Sequence, residues 1–103
     1  MSLLAPQYKK PSSFRACGNA RVIPDGGVIL TTPTGAVRLS PNDGSRLLFH
    51  GAPVCVDSAR LERCRRAVFI EIGERQYTLN ARELGQVFNG TITRCLIYPG
   101  GAL

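Results

Sequence analysis

Apolar and polar residues alternate most clearly between residues 68 and 79. Val68, Ile70 and Ile72 fall on one side of an extended chain, with Phe69 and Glu71 on the other. After Gly73-Glu74, Tyr77 and Leu79 alternate in the same way. A period of two on both sides of a short turn predicts a β-hairpin. Asn80 then opens a helix expected over about 80–88. Its side chain is placed to accept from the N–H of Glu83 while Glu83 reaches back, and Leu79 sits at the staple position against Leu84. Leu84, Val87 and Phe88 form the apolar stripe of this helix, and Asn89-Gly90 supplies a left-handed stop. Ile92 to Tyr98 reads as a last strand, ended by Pro99-Gly100-Gly101.

The first half is punctuated rather than periodic. Pro24-Asp25-Gly26, Pro33-Thr34-Gly35, Pro41-Asn42-Asp43-Gly44 and His50-Gly51-Ala52-Pro53 recur at intervals of about 8–12 residues, the spacing of an all-β meander or small barrel. Between them Val28-Ile29-Leu30, Ala36 to Leu39 and Leu47-Leu48-Phe49 predict short strands. The recurring Pro and Gly raise a short solenoid repeat, but the intervening residues do not match one another, so consecutive hairpins are the simpler account. Asp57 to Arg66 is ambiguous. Leu61, Cys64 and Val68 have helical spacing, yet no capping glycine ends a helix before the next strand. A short helix near 57–66 is expected, and it would set Arg60, Arg63 and Arg66 on one face. The fold expected is a β-rich α+β domain: a small antiparallel barrel or bent sheet of six or seven short strands, with the 80–88 helix packed on one end.

A chain of 103 residues, 44% of them hydrophobic, has material for one domain. It divides by composition into a basic arm over 1–16 and a single globular domain over 17–103. No apolar run approaches the roughly 18–20 residues that cross a bilayer, so no membrane partner is expected. Leu3-Leu4-Ala5 is too short for a signal-peptide core, which makes a cytoplasmic location the expectation.

Charge changes the picture more than composition does. The net charge is +6, and the excess is concentrated in two places. Residues 1–24 carry Lys9, Lys10, Arg15 and Arg21 with no acid, and residues 57–66 carry Arg60, Arg63, Arg65 and Arg66 against Asp57 and Glu62. Guanidinium groups suit bidentate phosphate contacts, and an arm with Lys9, Lys10 and Arg15 beside Tyr8 or Phe14 suits a polyanion with bases to stack on. The plain alternative is a solvated tail and a solvated charged face.

Other chemistry is sparse. Cys17, Cys55, Cys64 and Cys95 lie 38, 9 and 31 residues apart with no C-x-x-C pair, so no metal is expected. Cys55 within Val54-Cys55-Val56 and Cys95 beside Leu96 read as small buried hydrophobes. His50, the one histidine, follows an apolar run on a turn, and Glu71 and Glu74 flank another, neither arrangement being that of a catalytic pair. Gly26-Gly27 and Gly100-Gly101 do not precede helices as phosphate-cradling loops do. The chain is therefore expected to be a non-enzymatic binding module without cofactor. Two classes of partner compete: nucleic acid or another polyanion held by Arg60, Arg63, Arg65, Arg66, Lys9, Lys10 and Arg15, or a protein partner, a second copy in a homodimer included.

Overall fold

The computed structural model describes residues 15–100. Eight antiparallel strands form one sheet that curls into a nearly closed barrel: β1 (Gly18–Val22), β2 (Val28–Thr32), β3 (Gly35–Leu39), β4 (Val54–Val56), β5 (Ala59–Cys64), β6 (Ala67–Ile72), β7 (Arg75–Asn80) and β8 (Arg94–Pro99). Their spatial order is β3-β2-β1-β8-β7-β6-β5-β4, and β3 approaches β4 across the remaining seam. Two eight-residue helices, α1 (Pro41–Leu48) and α2 (Ala81–Phe88), follow β3 and β7 and pack on each other. No helix among the described residues is long and apolar enough to cross a membrane.

The expected β-rich α+β class holds, while four local expectations do not. There are eight strands rather than six or seven. The 57–66 segment is strand β5 with its turn rather than a short helix, because Ala59 and Leu61 face the core while Arg60, Glu62 and Cys64 face solvent, a period of two. The segment expected to turn at 41–44 and run as a strand over 47–49 is helix α1. Its N-terminus is a full capping box: the Asp43 N–H donates to Ser40 Oγ at 3.0 Å, and the Ser40 N–H donates to Asp43 Oδ2 at 3.0 Å. Pro41 at the first turn needs no hydrogen-bond partner there, which turns a turn-like residue into a helix starter. In α2 the Glu83 N–H donates to Asn80 Oδ1 at 3.0 Å, but the expected reach-back by the Glu83 carboxylate is not made. At the end of α2 the N–H groups of Gly90 and Thr91 close back on the carbonyls of Val87 and Gln86, a left-handed stop with Gly90 at φ 84°.

The barrel is built twice over. Each pair of the β2–β3 hairpin recurs 40 residues later in β6–β7: Val28↔Leu39 becomes Val68↔Leu79, and Leu30↔Val37 becomes Ile70↔Tyr77. The helix caps Ser40 and Asn80 are displaced by the same 40 residues. The first strands correspond at 41, Ala20 with Leu61, because the β1–β2 loop is one residue longer than its mate. The last strand of each half pairs with the first strand of the other: Val54↔Leu61 joins β4 to β5, and Ala20↔Cys95 joins β8 to β1. The two halves therefore share one core, centred on Leu30, Leu39, Leu61, Ile70 and Ile97 from the strands and Leu47, Leu84 and Val87 from the helices. From residue 28 to residue 48 only Val28 and Leu39 are identical to the residues 40 places on, so the sequence hides the relation.

The helices sit at one end, and the β2–β3 and β6–β7 turns at the other. At one end the Phe88 ring lies against Gly44, where an added Cβ would come within 2.6 Å of it and force the ring to move. At the other end Thr34 Oγ1 donates to the Ile72 carbonyl at 2.8 Å and accepts from the buried Tyr77 hydroxyl at 2.8 Å. That clip joins the two hairpin turns and satisfies the phenol.

Candidate binding corner

The arginine-rich segment forms the two-residue turn between β5 and β6, closed by the pair Cys64↔Ala67. Arg65 takes a left-handed φ of 59°, a conformation that a side-chain-bearing residue adopts at a cost. Arg65 and Arg66 are both exposed, and no acid pairs with either among the described residues. The Arg66 carbonyl accepts the first N–H of α2, from Ala81, at 2.8 Å, which brings the backbone of the neighbouring exposed Arg82 to the same rim. Arg82 occupies the first turn of α2, where the helix dipole disfavours a cation, so helix stability does not account for it.

Arg63 is differently employed. Its Nη1 donates to the Leu48 carbonyl at the end of α1, and its Nε donates to the Arg65 carbonyl at 2.8 Å. A cation on the final carbonyls of a helix is favourable both as a charge-assisted bond and against the dipole. Arg63 thereby ties the β5–β6 turn to the residue immediately before Phe49. Phe49 caps α1 and is 80% exposed, and His50 beside it is exposed as well. Their backbone is fixed: the Phe49 and His50 N–H groups both donate to the Ser45 carbonyl, and the Ala52 N–H donates to Arg46. One rim of the barrel thus carries Arg63, Arg65, Arg66, Arg82, Phe49 and His50.

The remaining residues picked out by sequence do not join them. Arg60 points outward in the middle of β5, opposite Glu71 across the ladder and 3.5 Å from Glu62, so its charge is locally balanced. Since β5 is a strand, Arg60 and Arg63 fall on opposite faces rather than lining up. Arg15 precedes β1 at the barrel end occupied by the β2–β3 and β6–β7 turns, away from the arginine turn. Lys9 and Lys10 lie outside the described residues. Arg21 and Arg94, which the sequence did not single out, stand directly opposite each other on β1 and β8, both exposed.

Cysteine chemistry separates by burial. All four thiols are free; Cys55, expected to be buried, is exposed on the outer face of β4, as is Cys64 on β5. Cys95 lies in the core, where burial, with the Glu83 carboxylate adding to it, pushes the thiol up to about 11. Cys17 is raised by partial burial against the opposing effect of a backbone hydrogen bond. Among the described residues no group of three or more His, Cys, Asp and Glu side chains is arranged to hold a metal ion. Compared with protein-family models, curated proteins and solved structures, the chain matches none.

Proposed function

We propose that this chain is a small, non-enzymatic binding module for nucleic acid or a similar polyanion, acting in the cytoplasm and engaging its partner through the arginine turn. The observation that carries this reading is the exposed pair Arg65 and Arg66, left without acids on a rim whose fold needs only a turn there. Arg82 supplies a third cation in a position that helix energetics disfavours. Phosphate oxygens are the complement of such a cluster, since arginine meets them in a planar fork. Lys9 and Lys10 of the arm, and Arg15, add a second basic region that can close on a long polyanion.

The test is a titration of labelled random-sequence oligonucleotides by anisotropy across a salt series. The log of the affinity is expected to fall linearly with the log of the salt concentration. The double variant Arg65→Ala/Arg66→Ala should flatten that slope by about 1.8 on duplex DNA, from roughly 0.9 per lost phosphate contact. Absence of binding at low salt, or a slope indifferent to the substitutions, would overturn the reading. A protein-interaction or homodimeric role is the second reading, favoured by the incomplete seam, where β4 stops at Val56 and leaves β3 without a full ladder partner. Sedimentation across a range of protein concentrations tests it, a monomer throughout counting against self-association.

A further inference from the structure

We propose that the form of polyanion this corner takes is a single-stranded polynucleotide, with the Phe49 ring stacking on an unpaired base while Arg65 and Arg66 hold the adjoining phosphates. This rests on the polyanion reading above and narrows it to one substrate class. The inference starts from an anomaly of exposure. Phe49 leaves 80% of its surface in water, and the packing of α1 does not require a large apolar residue there. In the other half of the barrel the matching helix cap is Asn89, whose side chain accepts from the Thr91 N–H at 2.8 Å and so completes its own turn. A polar cap serves the fold; a bare aromatic ring in the same place does not.

Two features make the ring a platform rather than a loose apolar residue. The backbone on both sides of it is held by hydrogen bonds to α1 carbonyls, so binding needs little ordering of the chain. The Arg63 guanidinium bridges the Leu48 and Arg65 carbonyls, so the ring and the arginine turn share one anchor. An exposed aromatic face next to unpaired arginines is the arrangement by which proteins hold unpaired bases and their backbone, since every base has a π-face and every linkage a phosphate. A duplex buries its base faces in the stack and offers Phe49 nothing, and its grooves are read by donors and acceptors that this rim does not array on a helix.

Single-stranded DNA and RNA oligonucleotides and a matching duplex, titrated against the full chain and its variants, test the proposal. Phe49→Ala should weaken single-strand binding about tenfold with an unchanged salt slope, leave duplex binding unaltered, and keep the thermal melt of the parent. The chain contains no tryptophan, so Phe49→Trp creates a single indole that can be excited apart from the three tyrosines, and stacking should quench its emission in step with single-strand binding. Phe49→Leu, which keeps an apolar side chain without the ring, should behave like Phe49→Ala. If Phe49→Ala binds single strands as the parent does while Arg65→Ala/Arg66→Ala does not, the stacking inference fails and the polyanion reading stands. If Phe49→Leu retains full affinity, the contact is not stacking and the inference fails. If no oligonucleotide binds at low salt, the polyanion reading fails and the inference goes with it.

Discussion

Two corners of the barrel occupy matching places in its two halves and differ in loop length, charge and the cover of their side chains. One lies where the β1–β2 loop meets the segment leading into β8, the Val22 N–H donating to the Thr93 carbonyl. The other joins the β5–β6 turn to the end of α1 through Arg63, the residue that corresponds to Val22. The first corner satisfies part of its polar surface itself: Asp25 accepts from the Gly27 N–H at 2.9 Å and pairs with Arg38 at 2.7 Å, and Asn89 closes its own turn, while Arg21 and Arg94 face each other exposed beside it. The second has, among the described residues, Arg65 and Arg66 without acids and Phe49 80% exposed. Since one fold tolerates both, neither the cations nor the bare ring is demanded by folding. The internal repeat allows a comparison within one molecule, and the bare ring beside the arginine turn is the feature that the proposed polyanion would cover.

The largest effect should come from the helices, where the halves share the core unequally. Leu84 is fully buried, while the matching residue of α1 is Gly44 beneath the Phe88 ring. Leu84→Ala is expected to cost about 2–4 kcal/mol in denaturant melts, and Asn80→Ala about 1 kcal/mol through the lost cap. Midpoints equal to the parent's would mean that α2 does not anchor its half.

Next in size is the division of labour among the arginines. Arg63→Ala removes a charge-assisted bond to the end of α1 and should cost about 1–2 kcal/mol. Arg66→Ala should stay within about 0.5 kcal/mol, as an exposed substitution without partners does. Equal costs would erase the distinction between a structural and a binding arginine. At the opposite end, Glu74 holds a left-handed φ of 65° that its counterpart Thr34 is not required to adopt. Glu74→Gly should therefore stabilise by about 1 kcal/mol, read as a raised melting temperature.

The last effect is absent at neutral pH, a pH dependence that can be removed by borrowing from the other half. Cys95 corresponds to Val54, and its thiol is raised from 9.0 to about 11 in the fold. Because the folded chain holds that proton more tightly than the unfolded one, the contribution is complete below pH 9 and is lost as pH rises towards 11. Melts of Cys95→Val and the parent between pH 8 and roughly 11 should diverge in that window only, the parent losing stability faster. A parallel pair of curves would place the thiol in water.

The legible parts of this fold are those where pattern and environment agree. β6 and β7 alternate because each has one face on the core and one in solvent, and α2 carries both a cap residue and a stop. α1 was hidden by Gly44 and by a Pro-Asn-Asp-Gly run that reads as a turn, although Ser40 just before it and Asp43 within it stand at capping-box spacing. β5 was hidden because Leu61, Cys64 and Val68 fit a helix by spacing, while the decisive inward pair, Ala59 and Leu61, is too short to stand out. Of the candidate site, the arginines are visible as a cluster in sequence. Phe49 was not, because Leu47-Leu48-Phe49 reads as a buried strand and only the third residue escapes burial.

The exchange of last strands between the halves bears on how the chain reaches this state. β1 emerges first in synthesis, yet its partner on one side, β8, lies at the far end of the sequence, with Gly18 facing Ile97. Until residues 94–99 are available, the growing chain carries an unpaired strand edge, and its first half lacks a wall of its own core. Closure spans nearly the whole domain, which places its entropy cost late and makes folding slow for a protein of this size. A ribosome-tethered chain stopped before residue 94 should therefore remain open to proteases and chaperones, and acquire resistance in a single step when the last strand is added.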